Sequence, residues 1–170
     1  TGINFGALKN EIGVFNDSRY VILDTVFLRT LDHENILSGY AEMLKHALIS
    51  DEKMWTDLIT FNLDNPDMNA LGRMLAESVE IKERIVDEDP DELGIRKALN
   101  VGHTAGHALE SWAMRHGQSL LHGYAVAWGL IVELYLSAIK SGFPTDKMRQ
   151  TVNFIRGNYG RLGVTCKDYP

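Results

Sequence analysis

The sequence predicts an all-α fold, a multi-helix bundle of about six helices behind a short N-terminal loop and strand segment. Three observations carry that expectation. Beyond Asp24, apolar residues recur at helical spacing in one stretch after another. Helix-breaking punctuation separates these stretches at Asn65-Pro66, at DEDPDELG (87–94) and at SGFP (141–144). The 170 residues are 45% apolar and 24% charged, which suits one globular unit large enough to bury a core.

Residues 1–18 are rich in Gly and Asn and read as loop, and YVILD (20–24) reads as a short strand. Asp32 is placed to cap a helix running to about Ile49, with Ile36, Leu37, Tyr40, Leu44, Ala47 and Leu48 as its apolar stripe. A second helix spans 51–61 on Met54, Trp55, Leu58 and Ile59, and a third spans 68–86 on Leu71, Met74, Leu75, Val79 and Ile85. The acidic stretch 87–94 reads as a solvated turn. Helices are then expected over 95–114, 121–141 and 145–157, with Gly142 placed just past a helix end. No internal repeat or low-complexity segment interrupts the pattern.

A net charge of −6 argues against a general nucleic-acid binder, which would carry a basic face, but leaves room for a local cationic pocket. Cys166 is the single cysteine, so neither an internal disulfide nor a thiolate zinc cluster is available, and a reducing, cytoplasmic setting fits. The longest apolar run, 124–138, is short for a membrane span and carries Glu133, so a buried helix accounts for it and no membrane partner is expected. The chain opens on Thr1, and a piece of a longer protein is the expectation.

Several residues are equipped for chemistry. In LNVGHTAGHALE (99–110), His103 and His107 are four apart and share a face if the segment is helical. Two imidazoles are one short of the usual catalytic zinc set, and the pair can equally be structural. Gly102 and Gly106, each costing about 0.5–1 kcal/mol in a helix, point to close backbone approach. His122 opens an apolar helix, either as a local hydrogen-bonding residue or as a third nitrogen ligand. Glu42 is near the buried side of its helix and Lys45 is three residues on, so the two form either a surface ion pair or a carboxylate ligand with a cationic neighbour. Lys9, Asn10, Lys82, Arg96 and Asn100 are candidate anion-binding residues. On a continuous helix, Arg96, Asn100, His103 and His107 would line one face, with Arg96 able to grip a carboxylate or phosphate bidentately. His33, His46 and His116 read as surface residues.

Five stretches, KNEIGVF (9–15), SGYAEMLKHALI (38–49), ESVEIKERIV (77–86), GIRKALNVGHTAGHALE (94–110) and LLHGYAVAWG (120–129), together resemble the 3-dehydroquinate synthase family in order and spacing. The resemblance implies conversion of 3-deoxy-D-arabino-heptulosonate 7-phosphate to 3-dehydroquinate and phosphate in the shikimate pathway, with NAD+ and Zn2+ or Co2+. The family's sequence of steps is transient oxidation at C5, phosphate elimination, reduction, ring opening and aldol closure. By motif, Glu42, His103 and His122 would be metal ligands. Lys45 would sit beside the metal and the reacting hydroxyls. Lys82 and Arg96 would meet the substrate carboxylate, Asn10, Asn100 and His107 the phosphate side, and Lys9 the cofactor. Residues 1–170 would form the C-terminal, metal- and substrate-binding helical domain. The N-terminal NAD-binding domain would lie outside this chain, and the isolated piece would lack turnover. The family is usually dimeric, so the resemblance implies a homodimer for the full-length protein.

Three features depart from the family pattern: the late start, an end at GVTCKDYP before the family's usual C-terminal lysine segment, and Tyr124 where HGE is commoner than HGY. Tyr124 keeps open a related sugar phosphate cyclase, such as one making 2-deoxy-scyllo-inosose or a valiolone-type ring. A helical interaction domain with fortuitous histidines is the non-enzymatic rival; it predicts that Glu42→Ala, His103→Ala and His122→Ala are tolerated.

Overall fold

The computed structural model describes residues 2–5, 8–14 and 19–164, without the side chains of residues 2, 4 and 8–10. Two short strands, β1 (Gly2–Phe5) and β2 (Leu8–Gly13), form an antiparallel pair in which Gly2 faces Gly13 and Ile3 faces Ile12. This corrects the expectation of a loop for residues 2–5 and 8–13: Ile3, Phe5 and Ile12 supply β-compatible side chains for a hairpin amid the glycines. The run 20–24 is not a strand in the structure. Its β-rich composition needs a neighbouring strand to receive its backbone hydrogen bonds, and none lies beside it among the described residues.

Six α-helices follow: α1 (His33–Leu48), α2 (Glu52–Thr60), α3 (Met68–Glu88), α4 (His103–Arg115), α5 (His122–Ser141) and α6 (Thr145–Asn158). Two 3-10 segments, Thr25–Thr30 and Ile95–Asn100, precede α1 and α4. The all-α expectation holds. The first three helices start on aspartates whose carboxylates accept from the first-turn amides: Asp32 from Asn35 N (2.8 Å), Asp51 from Met54 N (2.9 Å) and Asp67 from Asn69 N (2.9 Å). Gly142 ends α5 at φ 73°, the left-handed conformation that its position suggested.

The core forms where α5 crosses α1, α4 and α6, with α2 and α3 against α1. Leu37, Tyr40, Leu44, Met54, Leu58, Val126, Leu130 and Ile155 are the largest of its fully buried apolar side chains. Two buried hydroxyls tie the helices together, Tyr40 donating to Leu58 O and Tyr159 to Leu37 O, each at 2.8 Å. α5 is long and apolar enough by composition to cross a membrane. In the fold, however, Ala125, Val126, Ala127, Leu130 and Leu134 are buried among the other helices.

The expected single helix over 95–114 is broken. Ile95–Asn100 is 3-10, Val101 is extended, and α4 begins only after Gly102, whose φ of 81° no α-helix tolerates. Packing requires the break. A side-chain carbon at Gly129 of α5 would sit 2.0 Å from Gly102 O, so the two backbones touch at the turn that starts α4. α4 lacks a capping side chain of its own. Glu133 on α5 supplies the cap, accepting from Gly102 N (2.9 Å) and Ala105 N (3.4 Å). On the other flank of α5, a side-chain carbon at Gly123 would lie 1.8 Å from Ser38 O of α1. The starts of α4 and α5 and the middle of α1 are thereby held side by side.

Candidate functional site

At this junction α1 contributes Glu42, α4 contributes His103 and α5 contributes His122. Glu42 Oε1 lies 3.3 Å from His122 Nε2 and 3.6 Å from His103 Nε2. The first spacing matches, and the second exceeds by about 0.2 Å, the edge of about 3.3–3.4 Å of a tetrahedron with metal–ligand bonds of about 2.0–2.1 Å. Glu42 Oε1 is buried with no hydrogen-bond partner, an expensive arrangement for a carboxylate oxygen unless a cation completes it. The two imidazoles are turned so that their other nitrogens face oxygens: His103 Nδ1 is 3.3 Å from Val101 O, and His122 Nδ1 is 3.2 Å from Glu110 Oε1. A proton on each Nδ1 leaves both Nε2 lone pairs for the shared centre.

The electrostatics agree with a one-carboxylate, two-imidazole centre. Burial pushes the Glu42 carboxyl up, but the bonded Lys45 ammonium, 2.6 Å from Oε2, holds it below its ordinary value, with smaller help from His103 and His122. Burial, followed by the charge on Lys45, lowers the His103 pKa, which favours the neutral ligating form. Lys45 is itself buried, 4% exposed, so the ion pair is no surface bridge. The donors fit Zn2+ or Co2+: two nitrogens, one carboxylate oxygen and no sulfur.

A cleft of about 570 Å3 opens beside these residues. Of the sequence-predicted residues, Glu42, Lys45, Lys82, Arg96, Asn100, His103 and His122 all line it. His107 lies one turn beyond His103, half exposed, with its ring centroid 5.8 Å from that of His122. Lys9 and Asn10 fall on β2, but their side chains lie outside what the structure describes. The expected continuous face from Arg96 to His107 is corrected: the Val101–Gly102 break places Arg96 and Asn100 on a separate 3-10 segment, and the cleft reunites them with His103.

The acidic turn is more than a solvated loop. Asp89 accepts from Leu93 N, Gly94 N and Arg96 N at 2.9, 2.7 and 3.0 Å. Arg96 donates from Nη1 to Pro90 O (2.7 Å), and Asn100 donates to Glu92 Oε1 (2.6 Å). Glu92 adopts φ 57°, a conformation costing roughly 1–2 kcal/mol for a residue with a side chain. The turn thus sets the positions of Arg96 and Asn100. Among the described residues, neither Lys82 nor Arg96 has an ion-pair partner, leaving two cations for an anionic ligand.

Sequence reasoning missed three residues here. His46, read as a surface residue, is buried, with Nδ1 2.7 Å from Ser78 Oγ of α3 and Nε2 unpartnered beside the cleft. His33 and His116 are exposed, as expected. Glu110 bridges His107 and His122, and Glu133 caps α4. The i, i+3 spacing of His107 and Glu110 was a signal in the sequence; the Glu133 and Ser78 contacts cross between helices and left none. Tyr124 packs edge-on against Trp128 and Tyr159 and is not among the residues lining the cleft.

A family model described as 3-dehydroquinate synthase C-terminal matches residues 39–166. Curated relatives include 3-dehydroquinate synthases of Parabacteroides distasonis and Bacillus pumilus. The first is 51% identical, matching 99% of this chain and 48% of its own length, and the second is 42% identical over 84% and 39%. A solved 2-epi-5-epi-valiolone synthase from Streptomyces hygroscopicus, holding NAD+ and Zn2+, superposes with a TM-score of 0.71 at 26% identity, over 94% of this chain and 49% of that one. The chain spans about half the length, or less, of these proteins.

Proposed function

The chain belongs to the 3-dehydroquinate synthase C-terminal family, and from that premise we propose that it is the metal- and substrate-binding helical domain of a 3-dehydroquinate synthase. In this reading residues 1–170 act with an NAD+-binding region that the other half of the relatives' length would supply. The whole enzyme would be a soluble, cytoplasmic homodimer that converts the heptulosonate phosphate to 3-dehydroquinate and phosphate. The observation that carries the reading is the convergence of Glu42, His103 and His122 at the edge of a cleft that also presents Lys45, Lys82, Arg96 and Asn100.

Glu42, His103 and His122 would hold a divalent metal, Zn2+ or Co2+, which supplies Lewis-acid polarisation of a substrate oxygen. Lys45, buried against Glu42, brings a fixed positive charge to the hydroxyls beside that centre. Lys82 and Arg96, unpaired among the described residues, take the carboxylate. Asn100, Asn10 and His107 serve the phosphate, and Lys9 the cofactor. Holding a flexible sugar acid through several steps calls for many fixed donors, since positioning and electrostatic stabilisation carry most of such a reaction.

The test is to give the full-length enzyme the heptulosonate phosphate with NAD+ and Zn2+ and to follow both phosphate and 3-dehydroquinate. Their stoichiometric formation is expected; phosphate release with a different carbocycle moves the protein to another cyclase, and no product refutes the proposal. The 170-residue chain alone is expected to release no phosphate.

A further inference from the structure

Glu110 has no role in the scheme above, yet both of its carboxylate oxygens are directed at imidazoles. Oε2 lies 2.7 Å from His107 Nδ1, and Oε1 lies 3.2 Å from His122 Nδ1. The glutamate side chain is only 14% exposed, whereas the two histidines are about half exposed, at 52% and 42%. The three histidine rings pack against one another, with His103 5.4 Å from His107 and 5.2 Å from His122.

An ionised carboxylate accepts hydrogen bonds and donates none. Each imidazole facing it must therefore carry its proton on Nδ1, whether that ring is neutral or charged. For His122 this leaves Nε2, the atom facing Glu42, with its lone pair toward the metal centre. For His107 it fixes the ring that the phosphate side would use. We propose that Glu110 is a positioning residue that clamps His107 and His122 with one carboxylate, setting their tautomers and coupling the metal subsite to the anion subsite. The inference rests on the metal reading for His122, but the tautomer part of it does not.

His107, Glu110 and His122 also have the donor set for a second cation. A spacing of 2.7 Å between Nδ1 and Oε2 is that of a charge-assisted hydrogen bond with its proton in place. A cation there would have to displace both Nδ1 protons, so the clamp fits the geometry better.

The experiment combines two measurements on the 170-residue chain: imidazole nitrogen NMR to read the tautomers of His107 and His122, and titration with Co2+ followed by its visible absorption. The wild-type chain is expected to show both histidines protonated at Nδ1 and to bind one Co2+. Glu110→Gln offers one acceptor and one amide donor in place of two acceptors. One histidine should then move its proton to Nε2, and Co2+ affinity should fall about 10–100-fold while the far-UV spectrum is unchanged. Glu110→Asp, which keeps both acceptors, should recover part of that loss and stands in if the Gln variant misfolds. Nε2 protonation of His122 in the wild type overturns the proposal. So does affinity of Glu110→Gln within twofold of wild type with unchanged tautomers, or a second Co2+ equivalent lost with Glu110. A wild-type chain that shows Nδ1 tautomers but binds no Co2+ refutes the metal reading and the coupling, and supports only the setting of the tautomers by Glu110.

Discussion

His103 and His107 are one helical turn apart, yet their surroundings differ. His103 is partly buried, which lowers its pKa, and faces Glu42, whereas His107 is half exposed and faces Glu110. His107→Ala in the full-length enzyme is therefore expected to cripple turnover while zinc content by metal analysis stays near one equivalent. His103→Ala should weaken zinc binding by more than the roughly 10–100-fold that loss of a supporting partner costs. His46 supports a different prediction. Burial, and then the charge on Lys45, depresses its pKa to about 4, so as pH falls the unfolded chain takes up this proton first. His46 then contributes stability that is full above about pH 6.5 and is lost as pH drops toward 4, by at most about 3 kcal/mol. Denaturant unfolding of wild type and His46→Asn at pH 7 and pH 5 should show the wild type losing more. The convergence of Glu42, His103 and His122 was legible because each lies in a recognisable stretch. The burial of His46 was not, because it depends on Ser78 of a helix 32 residues away.

Helix extents were read well from apolar spacing: Leu37, Tyr40, Leu44, Ala47, Met54, Trp55, Leu58, Leu71, Met74 and Ile85 of the expected stripes are buried, while Leu75 and Val79 are only partly so and Ser78 and Ile81 join the buried face of α3. The segment before α4 was misread because Arg96-Lys97-Ala98-Leu99-Asn100 has ordinary helical composition. Only its contact with α5 shows that Gly102 must take a positive φ. Gly129→Ala would place a methyl 2.0 Å from Gly102 O, with no flexible side-chain end to give way. Overpacking of this kind typically costs about 1–3 kcal/mol. Glu133→Ala removes the cap of α4 and is expected to cost about 0.5–2 kcal/mol. Both variants should also lose zinc affinity, because α4 starts at His103. Chemical denaturation and metal titration of the same samples check the two effects together.

For the molecule as a whole, Glu42, His103 and His122 come from α1, α4 and α5, the helices that meet at the centre of the fold, and a metal bound by them would tie those helices together. Zn2+ bound by the folded chain alone should stabilise it by about 2.7 kcal/mol at a free concentration 100 times its dissociation constant. Thermal unfolding should move up with Zn2+ and return on chelation, and the Glu42→Ala chain should show no such response. The fold class was legible because helical periodicity is local. The N-terminal hairpin and the failure of 20–24 to form a strand were not, since strand formation depends on partners that composition does not reveal.

The break at Val101–Gly102 divides the cleft's wall into two separately mounted parts. His103 is anchored to the core through α4, while Arg96 and Asn100 hang from a surface turn knitted by Asp89 and Glu92. If Arg96 and Asn100 bind the substrate anion as proposed, exchanging residues 89–100 with the core-facing Leu99 kept is expected to change which anion binds while Zn2+ affinity stays the same, which would make chemistry and selectivity separable design variables.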